Sequence, residues 1–412
     1  MIRTSTLPSG VRLVTEEMAD VRSVSVGVFV GTGSRDETPS QAGISHFLEH
    51  LLFKGTESLS ARDIAEAVDA VGGDMNAYTT KEYTAFYVRT LSEHLELPLR
   101  ILGDILREPA FRPQEVEAER QVILEEILMH YDEPAEVVQE RFSGAMFPGH
   151  PLGREVLGDP ARVKAVTVEE IRAFFDSHYR PANMVVAAAG DVAHDVVEAA
   201  IANRFDVAGG GPPVRNMPGP DVRPLVVETR ESEQAHLVIG VRAPARRSEE
   251  RFSLAALNHV LGGGLSSRLF QEIREERGLA YSIGSDRVAY EDAGMLEVSV
   301  ATAPDNVAEV IGLLERELDS MRAAGVSERE LDVAKGNLRA DLLLSLEDSG
   351  ARMSRIGASL LLHGEVLTVE DVLERIAAVT VESAAAVARS VLGGERVLAA
   401  VGPFREGDIY PG

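Results

Sequence analysis

Residues 43–56 read GISHFLEHLLFKGT, with His46 and His50 four apart and Glu49 directly before the second histidine. On a helix, side chains four apart lie one above the other, their Cβ atoms about 5–6 Å apart. Two such imidazoles can offer nitrogens to one ion at about 2.0–2.1 Å. Glu49 projects to one side of the pair, within reach of a water beside the ion without being a ligand. The spacing His-x-x-Glu-His is that of an inverted zincin. The competing reading is a buried helix with incidental histidines, because Phe47, Leu48, Leu51, Leu52 and Phe53 mark the same segment as buried. With ten histidines in 412 residues, chance produces the pattern on the order of 0.02–0.03 times per chain, which favours a metal.

A catalytic zinc site needs a third protein ligand from another rigid element. The run EAERQVILEEILMH places Glu119 and Glu126 seven apart, which puts them about 20° apart around a helix. Glu125 lies about 100° from Glu126, so only one of the two can face a common ion. By spacing alone, a solvated acidic face is the simpler reading of these carboxylates.

The elements that must position these groups follow from periodicity. The motif predicts a helix over about 41–54, with Ser40 as N-cap and Gly55 as stop. A second helix is predicted over 112–130, with Pro113 in its first turn. Alternating patterns predict strands at 21–31 and within 72–91, followed by helices at 91–107 and 112–130. The second half repeats this layout: a strand at 235–243, helices at 250–261 and 266–277, strands within 279–302, and helices at 306–324 and 327–346. The expectation is an α+β fold of two homologous domains, each a largely antiparallel sheet with helices packed on it. Residues 207–223, VAGGGPPVRNMPGPDVR, are dense in Gly and Pro and read as a linker between domains 1–206 and 224–412.

Bulk composition narrows the function. A length of 412 residues with 45% hydrophobic content suits two or three domains of roughly 100–200 residues each. The net charge of −25 repels phosphate backbones, which argues against a nucleic-acid partner. With no cysteine, disulfides, thiolate nucleophiles and Cys-based zinc sites are excluded, so any metal must be held by His, Asp or Glu. The N-terminus shows neither an apolar signal core nor an Arg-rich transit pattern. The longest apolar run, MVVAAAG at 184–190, is far shorter than the ~18 residues of a membrane helix. The expectation is a cytoplasmic protein with no membrane span.

HFLEHLLFKGT followed by ERQVILEEI resembles the pitrilysin and mitochondrial-processing-peptidase family of zinc metallopeptidases, which also includes insulin-degrading enzymes. The likeness covers nearly the whole chain, and its length is that of the bacterial two-domain branch. The resemblance implies one Zn²⁺ bound by His46, His50 and Glu126, with Glu49 as general base and Glu119 supporting the ligands from behind. It also implies that Asn76, Ala77 and Tyr78, in GGDMNAYTT, line an extended peptide along an edge strand. Arg274 and Tyr281, in REERGLAY, are implied to grip a substrate carbonyl. The implied activity is endoproteolysis of unfolded or short peptides inside a closed chamber made by two facing two-domain halves. One chain carries one such half, so a homodimer is expected, with a companion subunit as the other possibility. Relatives that have lost the metal motif serve instead as non-catalytic core or partner subunits. The second half lacks His-x-x-Glu-His, and its lone His259 reads as a core or surface histidine.

Overall fold

A computed structural model of the chain describes residues 1–205 and 209–409. Six strands, β1 (Ile2–Thr6), β2 (Arg12–Glu17), β3 (Ser23–Val30), β4 (Asp74–Thr79), β5 (Thr84–Leu91) and β6 (Met184–Gly190), pair in the order β1-β2-β6-β3-β5-β4. Five more, β7 (Leu225–Thr229), β8 (Ala235–Ala243), β9 (Ala280–Ala289), β10 (Gly294–Thr302) and β11 (Arg396–Gly402), pair in the order β7-β11-β8-β10-β9. Each sheet is antiparallel except for one pair, β2 with β6 and β11 with β7. The path from β2 to β4 in the first sheet is retraced from β7 to β9 in the second. This is the expected α+β duplication.

The MVVAAAG run is β6, every residue of it buried. With a neighbour on each edge and no solvated face, such a strand reads as an unbroken apolar run. No helix among the described residues is long and apolar enough to cross a membrane.

The chain forms two units, and neither is a continuous stretch. The first comprises Met1–Leu128, Glu155–Asn216 and Leu343–Leu367; the second comprises the remainder. The helix Ser349–His363 therefore belongs to the first unit, where it lies on β2, β3 and β6. Met353, Ile356 and Leu360 join Val14, Phe29, Val185 and Ala187 in one buried cluster. Its fit depends on two glycines. A Cβ on Gly27 would come within 2.5 Å of the Met353 sulfur, and one on Gly357 within 2.2 Å of the Phe29 ring. In the second unit the helix Pro134–Met146 packs on β7, β8 and β11. There Phe142, wholly buried, rests over Gly240 of β8.

Residues 206–208, where the expected first domain ends and the expected linker begins, lie outside the described residues. From 209 to 223 the chain forms no helix or strand, yet it is anchored within the first unit. The Arg215 guanidinium donates twice to Asp36 at 2.8 Å and once to the Glu82 carbonyl at 2.7 Å. Arg35 donates to the Asn216 carbonyl at 2.8 Å.

Candidate metal centre

The motif helix spans Ile44–Leu52, shorter than the 41–54 expected from the sequence. Ser40 is not its N-cap. Residues Pro39–Gln41 form a separate 3₁₀ turn, and the cap is Gly43, in the left-handed region at φ 96°. A side chain there is strained, and its Cβ would meet the Leu157 carbonyl oxygen at 2.8 Å. A buried carboxylate does what a capping hydroxyl would do. Glu37 accepts from the Gly43 N–H at 2.9 Å and the Ser45 N–H at 2.8 Å, satisfying amides that the helix leaves free. The helix buries Ile44, Phe47, Leu48, Leu51 and Leu52 and packs against β4 and β5. His46 and His50 are thus fixed by the packing of the intervening apolar residues.

The carboxylate helix runs from Pro113 to Asp132. Proline suits its first turn because that N–H has no intrahelical partner. Arg120 ties it to its surroundings: the guanidinium lies 5.4 Å from the centre of the Phe47 ring and donates to the carbonyls of Val163 and Val166.

The two helices bring the expected groups together. Donor atoms of His46, His50 and Glu126 all lie within 4.8 Å of one another. Nε2 of His46 and Nε2 of His50 each stand 3.6 Å from Oε2 of Glu126. Four ligands at ~2.0–2.1 Å around a tetrahedral ion are about 3.3 Å apart, so this donor set, two imidazoles and one carboxylate, fits Zn²⁺ in both chemistry and spacing. Glu125 is solvent-exposed, and Glu126 is the carboxylate that faces the imidazoles. Glu119 is buried and its Oε2 accepts from His50 Nδ1 at 3.1 Å. That bond puts the proton on Nδ1 and leaves the Nε2 lone pair facing the other donors.

Burial shifts the ionisation of His46 and Glu49. His46 is 6% exposed, and its Nδ1 has no hydrogen-bond partner among the described residues. Loss of solvent, and then the neighbouring His50, push its pKa down to about 3, so the ring is neutral and able to ligate. Burial also raises the Glu49 carboxyl above its ordinary value, hydrogen bonds from Thr79 oppose that rise, and Glu126 adds to it. Thr79 ends β4, so the strand that borders the motif helix also holds Glu49.

Asn76, Ala77 and Tyr78 lie on β4, which pairs with β5 alone and forms the edge of its sheet. Asn76 is exposed, and its Oδ1 accepts from the Ala77 N–H at 2.8 Å. Tyr78 is half-buried, with its hydroxyl 3.3 Å from that of Tyr83. Arg274 and Tyr281 belong to the second unit. Arg274 sits in a π-helical stretch, Phe270–Glu276, a wide turn frequent at functional sites. Its guanidinium lies 4.7 Å from the centre of the Phe270 ring and 5.1 Å from that of Tyr281. Tyr281, on edge strand β9, is 79% exposed. His259 is buried on the helix Arg251–Leu261.

Sequence reasoning did not find Glu37, Lys54 or Thr79. Lys54 Nζ stands 2.7 Å from the second oxygen of Glu119. Thr79 carried a signal as the residue after the Asn-Ala-Tyr strand segment, and Lys54 one as a basic residue expected in the last turn of the motif helix, although that helix ends at Leu52.

Comparison with known proteins assigns two successive stretches of the chain to one peptidase family. Residues 12–160 match the family described as Insulinase (Peptidase family M16), and residues 165–338 match the Peptidase M16 inactive domain. The chain belongs to peptidase family M16. An uncharacterized zinc protease of Streptomyces coelicolor is 42% identical across 98% of this chain and 90% of its own length. The uncharacterized zinc protease YmxG of Bacillus subtilis is 36% identical across 98% of both chains. Among solved structures, a peptidase M16 inactive domain from Pseudomonas fluorescens superposes with a TM-score of 0.92 at 19% identity, covering 98% of both chains. A Helicobacter pylori protease superposes at 0.88 and 23% identity, covering 98% of this chain and 99% of that one. At such identities the structural likeness speaks for the fold alone. The M16 inactive-domain match falls largely on the half without His-x-x-Glu-His, and His46, His50 and Glu126 form the one metal-capable group of its kind among the described residues.

Proposed function

We propose that this M16 chain is a zinc-dependent endopeptidase that hydrolyses unfolded or short peptides. The observation that carries the reading is the convergence of His46 Nε2, His50 Nε2 and Glu126 Oε2, with the half-buried Glu49 carboxyl on the helix that carries the two histidines. When bound, zinc supplies Lewis acidity toward a water molecule and a peptide carbonyl.

The chain's own groups do the rest. Glu49 takes the proton from the attacking water and returns a proton to the leaving amine. A carboxyl with its pKa raised by burial is the stronger base for the first step and retains the proton until the leaving amine takes it. The free edge of β4 holds an extended peptide through main-chain hydrogen bonds, a mode that accepts many sequences. Asn76, Ala77 and Tyr78 supply the side-chain surroundings of that peptide. Arg274 and Tyr281 grip the substrate carbonyl and help hold its developing negative charge. The motif resemblance supports a homodimer in which these two residues serve the partner's metal site.

The test is metal content of the purified chain together with cleavage of an unstructured peptide library. The expected result is about one zinc per chain, with cleavage lost to a chelator and regained with Zn²⁺. A chain that retains zinc stoichiometrically but cleaves no peptide belongs with the non-catalytic partner subunits instead.

A further inference from the structure

We infer that Lys54 is a positioning residue for the metal centre, acting on His50 through Glu119; the inference rests on the zinc reading above. Glu119 is a buried carboxylate with its oxygens divided between two partners. Oε2 accepts from His50 Nδ1 at 3.1 Å, and Oε1 accepts from Lys54 Nζ at 2.7 Å. A carboxylate bonded on one oxygen alone can turn about its last torsion. Bonded on both, it presents one oxygen to the imidazole in a fixed direction, and that direction sets the aim of Nε2.

The backbone keeps Lys54 in register with the helix that carries Glu119. The Lys54 N–H closes the motif helix by donating to Leu51 O at 3.0 Å. The next residues are then joined to the segment that opens the carboxylate helix. Ala110 N–H donates to Gly55 O at 3.2 Å, Thr56 pairs with Pro109, and Arg112 donates to Thr56 O at 2.6 Å. The end of one ligand-bearing helix and the start of the other thus form a single strap. Lys54 reaches inward from it while its side chain stays 36% exposed. The ammonium also places a positive charge beside a carboxylate that has lost most of its water, offsetting the cost of burying that charge.

The experiment is a zinc competition titration against a chromophoric chelator on the full-length chain, for wild type, Lys54→Met, Lys54→Arg, Glu119→Gln and the Lys54→Met/Glu119→Gln double variant. Loss of a group behind a metal ligand costs about 10–100-fold in affinity. Lys54, one contact further out, is expected at the low end: about tenfold for Lys54→Met, most of it regained in Lys54→Arg. In the Glu119→Gln background Lys54→Met is expected to add nothing, because its route to His50 is gone. The visible spectrum of the Co²⁺-loaded chain should change in Lys54→Met and return in Lys54→Arg. Metal-free melting temperatures read separately the cost of leaving the buried Glu119 carboxylate without its ammonium, which should appear in Lys54→Met and be relieved in Lys54→Arg. Wild-type affinity and spectrum in Lys54→Met overturn the inference while leaving the zinc reading intact. An undiminished Lys54→Met effect in the Glu119→Gln background also overturns it. A wild-type chain that binds no zinc overturns both.

Discussion

Glu119 and Glu126, two turns apart on one helix, address the same imidazole from its two nitrogens. Oε2 of Glu119 is 3.1 Å from Nδ1 of His50, and Oε2 of Glu126 is 3.6 Å from its Nε2. One carboxylate holds the proton that fixes the tautomer, and the other stands where the lone pair points. The pair would divide the work of a carboxylate–histidine–metal triad between two turns on one face of a single helix.

Glu126 and its sequence neighbour Glu125 should therefore behave as opposites. Glu126→Gln removes the anionic donor and is expected to weaken zinc binding by about 100-fold or more, whereas Glu125→Gln on the exposed side leaves it unchanged. Chelator competition measures both. Equal effects of the two substitutions would refute the assignment.

The acid limb of activity should report Glu49. The carboxyl acts as a base only when ionised, so kcat/KM rises with pH through its pKa, which burial places above the ordinary carboxylate range. Thr79 works against that rise, so Thr79→Val is expected to move the limb to higher pH. Glu49→Gln should retain zinc while losing about 10²–10⁴-fold in turnover. A limb that stays in place in Thr79→Val would show that a different group titrates.

Mixed dimers test whether the second unit's residues serve a partner's site. Co-expression of a Glu49→Gln chain with an Arg274→Ala chain should restore part of the activity, because one of the two sites in a mixed dimer keeps both residues. Isolated mixed dimers with no activity above the parent variants would count against this sharing.

Stability below pH 5 should depend on Glu330. Its pKa is pulled down to about 2, first by hydrogen bonding from Arg268 and further by the Ser327 N–H and hydroxyl. The folded value lies below the unfolded one, so the contribution is complete above about pH 4.5 and disappears as pH falls toward 2. Partial exposure screens the pair, so Glu330→Gln is expected to cost about 1 kcal/mol at neutral pH and much less at pH 3. Urea denaturation at the two pH values measures the difference.

Truncation of Phe142 should show how much the second sheet relies on a helix from the first half of the chain. Phe142→Ala leaves a cavity over Gly240 and is expected to cost about 3–5 kcal/mol. A loss below about 1 kcal/mol would mean that the helix Pro134–Met146 is not integral to that core.

Local chemistry was legible in the order of residues. His46, Glu49 and His50 declare themselves because helical geometry turns a spacing of four into a shared face, and strand alternation and helical periodicity located β3, β5, β8 and most of the long helices. What could not be read there depends on residues far apart in the chain. Nothing in the EAERQVILEEI run decides between Glu125 and Glu126; that choice comes from the angle at which the helix Pro113–Asp132 meets the motif helix, fixed by Arg120, Phe47 and the carbonyls of Val163 and Val166. Capping by Glu37, the Thr79 bonds to Glu49 and the reach of Lys54 to Glu119 likewise span gaps that no periodicity encodes. The same holds for the helix Ser349–His363, whose place on the first sheet depends on the match of Met353 to Gly27 and of Gly357 to Phe29. Short-range spacing is dictated by backbone geometry common to all helices and strands, whereas partners across hundreds of residues are chosen by burial and shape, which exist only once the chain has folded.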